Sequence, residues 1–155
     1  MKASRNGLDV VRAGVEHLDQ VSGLFDQYRA FYRRASDADG VKGFIEERLR
    51  AKDSVIYLAL GRPENTPLGF TQLYPSFSSV SMKPLWILND LYVATRGRRQ
   101  GIARALIDRA RRLAVDTGAK GLILETAIDN TPAQTLYERY GFVRDTEFYR
   151  YALDL

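Results

Sequence analysis

Between Leu88 and Ala114 an apolar, strand-like run passes through an arginine- and glycine-rich turn straight into a helical pattern, LNDLYVATRGRRQGIARALIDRARRLA. A helix N-terminus presents unpaired N–H groups and a partial positive charge, so Asp, Glu, Ser or Thr ordinarily sit there. Here the entry runs through Arg96, Arg98 and Arg99 instead. The simplest completion is a bound anion such as a phosphate, held jointly by backbone N–H groups and arginines. Gly97, Gly101 and Ala103 would let it approach closely.

The charge distribution points the same way. The segment from Arg96 to Arg112 holds seven arginines against Asp108 alone, a local charge of +6, whereas the whole 155-residue chain carries only +4. A uniformly basic chain suggests non-specific nucleic-acid binding, but a patch confined to a helix start suggests a particular anionic ligand. The aromatic residues are also not interleaved with the arginines, as a base-stacking platform requires.

Length and a hydrophobic fraction of 45% predict one domain with a single core. The polar start MKASRNG lacks the apolar centre of a signal peptide, and no apolar run is long enough for a membrane span, so a cytoplasmic location is expected. With no cysteine and one histidine, thiol chemistry is excluded and a Ser-His-Asp triad is disfavoured. No metal site is expected.

Periodicity predicts a strand over Leu8 to Val11 and a helix over Val15 to Tyr32, then a helix over Val41 to Arg50. Strands follow at Ser54 to Leu60 and Leu68 to Tyr74, joined by the turn-rich GRPENTP, and a third at Leu85 to Val93. The arginine-led helix should run to about Thr117, before Gly118 and a strand at Gly121 to Thr126, forming a parallel βαβ unit. Thr131, Pro132 and Gln134 fit N-cap, first helical position and capping-box partner of a last helix stopped by Gly141. Phe148 to Leu153 should close the sheet.

Two motifs in register then carry a resemblance. Arg98-Arg99-Gln100-Gly101-Ile102-Ala103 matches the R/Q-x-x-G-x-G/A acyl-CoA signature of the GNAT N-acetyltransferases. Asn130-Thr131-Pro132-Ala133 followed by Leu136-Tyr137-Glu138-Arg139-Tyr140-Gly141-Phe142 is similar to the same superfamily's N-x-x-A…L-Y-E-x-x-G-F segment. Leu88-Asn89-Asp90-Leu91-Tyr92-Val93 resembles the L-E-D-L/F-F/Y-V of spermidine/spermine and histone/polyamine acetyltransferase-like proteins, with Asn89 in place of Glu. The resemblance implies an α/β GNAT fold, a mixed twisted sheet of about six or seven strands flanked by helices. It implies an N-acetyltransferase moving an acetyl group from acetyl-CoA to a primary amine of a small molecule or an exposed protein amino group. Homodimers are frequent in the resembling subgroup.

On that resemblance, the coenzyme pyrophosphate would rest on Arg98, Arg99, Gln100, Gly101, Ile102 and Ala103, with Arg104 closing the cradle. Leu91, Tyr92 and Val93 would splay from the next parallel strand to receive the pantetheine arm, and Tyr92 or a nearby N–H would face the oxyanion. Asn130 matches the position that contacts the cofactor arm. Tyr137 matches the tyrosine near the cofactor sulfur, where a phenol can protonate a departing thiolate. Asp90 is the candidate base, directly or through a water that Asn89 orients. Adjacent strand residues face opposite ways, so the two converge only if a bulge re-aims one.

Plainer structural explanations exist for each. Gly101 and Ala103 could ease helix packing, Tyr137 could be core, Asn130 could start a helix, and Asp90 could be solvated or paired with an arginine. His17 reads as surface. Arg104, Arg109, Arg111 and Arg112 read as a solvated helix face whose stems cover apolar surface. Phe31, Tyr32, Tyr74 and Phe77 fall where this superfamily lines its acceptor groove. Asn89 in place of Glu keeps a second reading open, a catalytically silent acyl-CoA-binding or regulatory domain. A nucleic-acid module built on the arginines is a third.

Overall fold

A computed structural model describes residues 7–155; the polar start at residues 1–6 lies outside the described residues. The chain divides into two compact units, one ending at Leu124 and one spanning Glu125–Leu155.

The first unit is built on five strands in the order β1 (Leu8–Arg12), β2 (Val55–Gly61), β3 (Thr66–Ser78), β4 (Lys83–Val93) and β5 (Leu122–Ile123). The first four pair antiparallel, and β4 pairs parallel with β5. Every residue from Val55 to Leu60 is buried, which is why SVIYLAL shows no alternation of polar and apolar positions: both faces of β2 are covered. On one face Ile56, Leu58, Leu60 and Phe70 pack with Val21 and Leu24 of α1 (Leu18–Phe31) and Val41, Ile45 and Leu49 of α2 (Ala38–Ala51). On the other lies α3 (Ile102–Asp116), burying Ile102, Leu106, Ile107, Ala110, Leu113 and Ala114. The result is a three-layer sandwich with the sheet in the middle.

Local chemistry sets the helix ends. The expected first helix opens as a 3-10 turn, Val15–His17, before α1 begins. Asp37 caps α2 by accepting a hydrogen bond from Gly40 N–H at 3.0 Å, so this helix starts earlier than its apolar periodicity indicates. Strand β3 continues to Ser78 although β2 has already ended opposite Leu73, so Tyr74–Ser78 pair with β4 alone. Pro75 falls in that stretch, where β3 is an edge strand and a missing N–H is tolerated.

The second unit carries α4 (Thr131–Tyr140). Its cap is Asn130 rather than Thr131: the Asn130 side chain accepts from Ala133 N–H at 3.3 Å, and Gln134 binds the carbonyls of Ala127 and Ile128 instead of closing a capping box. Gly141, at φ +121°, ends it as expected.

The sheet has five strands among the described residues, not six or seven. The expected strand at Gly121 to Thr126 shortens to Leu122–Ile123, and Phe148 to Leu153 forms no strand. An apolar alternation becomes a strand only where a neighbour completes its hydrogen-bond ladder, and Phe148, Tyr149, Tyr151 and Leu153 instead remain exposed. Among the described residues, no helix is long and apolar enough to cross a membrane.

Candidate active site

Strand β4 leads through a 3-10 turn, Thr95–Gly97, into α3. Two residues of the connection are left-handed, Arg99 at φ +63° and Gly101 at φ +74°. Gly101 is the N-cap of α3; no side chain caps this end and no acidic residue lies in its first turn. The leading N–H groups of α3 therefore have no intrahelical acceptor and face outward with the positive end of the helix dipole. A Cβ at Gly101 would meet nothing within 4 Å, so the space on that side of the N-cap is open. Such a cradle fits a phosphate.

The neighbouring side chains hold the turn in shape. Arg96 donates to the Pro67 carbonyl at 2.8 Å, Arg98 to the Val93 carbonyl at 3.4 Å, and Gln100 to the Arg96 carbonyl at 3.0 Å. Gly97 has a different purpose from the one expected. It is buried, and a Cβ there would lie 2.9 Å from Ile102 Cδ1 and 3.2 Å from the Leu68 carbonyl, so it lets the turn pack on β3 rather than admitting an anion. Gly69, which sequence reasoning passed over, is needed for the same kind of approach, with the Tyr92 carbonyl only 2.7 Å from a Cβ placed there.

Pairing between β4 and β5 covers only Trp86–Leu122 and Ile87–Ile123, whereas β4 runs on to Val93. Among the described residues, the β5-side edge of β4 beyond Ile87, including Leu91, Tyr92 and Val93, has no ladder partner. An extended polar chain could add there as a strand does. The Tyr92 side chain is turned elsewhere: its ring packs 6.0 Å from that of Tyr28 and 6.5 Å from that of Phe70, and its hydroxyl lies 3.4 Å from Gln27 Oε1. The backbone of this stretch, not the Tyr92 phenol, is what the open edge offers.

Asp90 is 6% exposed. It lies opposite Gln72, and the next β3 residue, Leu73, pairs with Leu88, so Asn89 is the extra residue of a β-bulge. The bulge breaks the alternation that would send Asn89 and Asp90 to opposite faces. Asn89 Nδ2 donates to Asp90 Oδ2 at 3.1 Å, and Gln72 Nε2 donates to the same oxygen at 3.0 Å. Thr71 Oγ1 anchors the Asp90 backbone by donating to its carbonyl at 2.7 Å. Asp90 therefore pairs with amides and not with an arginine.

Two tyrosines face this carboxylate. Burial, and after it the Asp90 charge, pushes the Tyr28 phenol far above its ordinary value. Tyr74 is raised for the same two reasons, with Arg48 opposing. Tyr74 thus stands at the carboxylate; Tyr32 packs edge-on against Tyr28 at 5.0 Å, and Phe31, Tyr32 and Phe77 are exposed side chains.

In the second unit, Asn130 and Tyr137 lie two helical turns apart on α4. Asn130 spends its carbonyl oxygen on the cap, leaving the amide nitrogen to donate. The Tyr137 ring meets Phe142 edge-on at 5.7 Å.

Two residues read as surface have structural partners. Arg109 donates to the Val10 carbonyl and stacks 4.9 Å from the Tyr57 ring, so it ties α3 to β1 and β2 instead of lying on a solvated face. His17 Nδ1 accepts from Gly14 N–H at 3.0 Å, closing the first 3-10 turn.

The acetyltransferase (GNAT) family pattern matches residues 21–142. An uncharacterized N-acetyltransferase of Bacillus subtilis, YhfO, is 43% identical over 148 residues, covering 96% of this chain and 98% of its own. The crystal structure of a probable acetyltransferase superposes with a TM-score of 0.90 at 48% identity, over 95% of this chain and 97% of that one. An aminoglycoside N-acetyltransferase in complex with CoA shares the fold along the full length of both chains, with a TM-score of 0.80 at 20% identity. Joined to the uncapped α3 terminus and the open β4 edge, these likenesses show that the chain belongs to the GNAT acetyltransferase family and is an N-acetyltransferase.

Proposed function

We propose that the chain transfers an acetyl group from acetyl-CoA to a primary amine, of a small molecule or of an exposed protein amino group, by direct attack in a ternary complex. The observation that carries this reading is the buried Asp90 carboxylate, which accepts from Asn89 Nδ2 and Gln72 Nε2, on the strand whose open edge leads to the α3 cradle. The chain has no cysteine, so a thiol cannot store the acyl group.

Acetyl-CoA supplies the activated acyl group. Its phosphates are assigned to the backbone from Arg98 through Arg99, Gln100, Gly101, Ile102 and Ala103 to Arg104, and its arm to Leu91, Tyr92 and Val93, with Asn130 as a further contact. Asp90, directly or through a water oriented by Asn89, takes a proton from the substrate ammonium so that the nitrogen lone pair can attack. Backbone N–H groups of the β4 edge stabilise the oxyanion, and Tyr137 gives its proton to the departing thiolate and recovers one from the nitrogen as the amide forms. Support for these residue roles comes from the two motifs and, in the first unit, from the geometry around Asp90 and Gly101. The likeness of Leu88–Val93 to spermidine/spermine acetyltransferase-like proteins supports assignment to that subgroup, and with it a homodimer.

The test is thiol release by the purified chain, which has no thiol of its own to interfere. Release is expected only when protein, acetyl-CoA and amine are all present. Failure with polyamines, amino acids, aminoglycosides and lysine peptides alike, together with saturable acetyl-CoA binding, would overturn catalysis in favour of a silent acyl-CoA-binding domain.

A further inference from the structure

The scheme above leaves Gln72 without a task, yet it is fully buried in the middle of β3. A primary amide placed there is costly unless its polar atoms are paired. They are paired in one directed chain. Ser54 Oγ donates to Gln72 Oε1 at 2.9 Å, and Gln72 Nε2 donates both to Asp90 Oδ2 at 3.0 Å and to the Tyr74 hydroxyl at 3.2 Å. An ionised carboxylate can only accept, so it requires the amide nitrogen to face it, and Ser54 must then be the donor at the far end. Ser54 lies just before β2 and Gln72 in β3, so the sheet itself aligns the chain with Asp90 in β4.

We propose that Gln72, held in a single orientation by Ser54, is a positioning residue for Asp90 that fixes the carboxylate where it can take the proton of the incoming amine. This rests on the reading of Asp90 as the base. The Gln72 amide shares Oδ2 with Asn89, and the Tyr28 hydroxyl also bonds the carboxylate; an ionised carboxylate has about four lone-pair sites, so about one remains for substrate or water.

The experiment uses the full chain, acetyl-CoA and whichever of sisomicin, spermidine or a short lysine peptide the wild type turns over fastest. Gln72→Met, of similar volume but without hydrogen-bonding groups, should lower kcat by about ten- to a hundredfold, part of the 10²–10⁴ that a positioned base contributes. The KM for acetyl-CoA should stay within about twofold, since the coenzyme does not touch Gln72 in this scheme. Ser54→Ala should lower kcat in the same direction, and Ser54→Thr, which keeps the hydroxyl, should retain it. In an Asp90→Asn background the Gln72→Met change should alter kcat by less than about twofold, because a residue acting through Asp90 has nothing left to act on. A full loss in that background would show Gln72 acting independently and overturn the proposal. Wild-type kcat in Asp90→Asn alone would overturn the base reading itself. If Gln72→Met fails to fold by circular dichroism, the Ser54 variants in both backgrounds decide the question by the same criterion.

Discussion

Asn89 and Asp90 are consecutive residues of one strand, yet Asn89 Nδ2 lies 3.1 Å from Asp90 Oδ2, because the bulge between the Gln72 and Leu73 pairings turns both side chains to one side. A regular strand would have separated them by its pleat. The carboxylate and an amide able to orient water are thereby placed together on the stretch of β4 that β5 does not pair.

Asp90→Asn keeps the side chain's shape and removes its capacity to accept a proton. Turnover should fall by about 10²–10⁴-fold with little change in the KM for acetyl-CoA. Steady-state thiol release at saturating amine measures it, and an unchanged kcat would rule Asp90 out as the base.

Gly101 faces open space but sits at φ +74°. Gly101→Ala should therefore cost about 1 kcal/mol of stability from backbone strain while still binding acetyl-CoA. Gly101→Glu, which brings bulk and negative charge to the uncapped helix end, should abolish saturable binding in a calorimetric titration. Equal affinity in wild type and Gly101→Glu would move the coenzyme away from this turn.

Tyr137→Phe removes one hydroxyl from α4. The expected result is a kcat lowered by about tenfold or more with acetyl-CoA affinity within about twofold, as for a group used only in the chemical step. Loss of affinity and rate together would instead identify Tyr137 as a packing residue.

Alkaline stability should report on the tyrosines beside Asp90. The phenols of Tyr28 and Tyr74 are raised when folded, so as pH climbs past about 10 the unfolded chain releases protons that the folded chain keeps. Stability is thus fully present below that pH and falls above it. Thermal melts at pH 9 to about 11 should show a shallower decline in Tyr28→Phe than in the wild type; parallel declines would remove Tyr28 from the linkage.

Arg109 and Arg111 are two positions apart on α3 but have different surroundings: Arg109 bonds the Val10 carbonyl and stacks on Tyr57, while Arg111 is exposed. Arg109→Ala should destabilise by about 1–3 kcal/mol and Arg111→Ala by no more than about 0.5 kcal/mol in urea unfolding. Similar values for both would mean the Arg109 contacts add nothing.

Much of this protein is legible from local pattern. The apolar run of β2, the arginine-led entry to α3, Gly101 at its start and Gly141 at the end of α4 are each dictated by residues within a few positions, through periodicity, capping and backbone freedom. The anion cradle was readable because an uncapped helix end is visible as a missing acid. What only the tertiary structure decided depends on partners distant in sequence. Whether Phe148 to Leu153 becomes a strand depends on a ladder neighbour, and no local propensity supplies one. Whether Arg109 is solvated depends on where β1 lies. The register slip just after the Gln72–Asp90 pair arises where β3 meets β4, and the 2.9 Å approach of Ser54 to the Gln72 amide where β2 meets β3. The sequence determined that a carboxylate and an amide stand side by side in β4. Only the sheet decided that both face one way, because side-chain direction in a strand is set by pleat and register rather than by residue type.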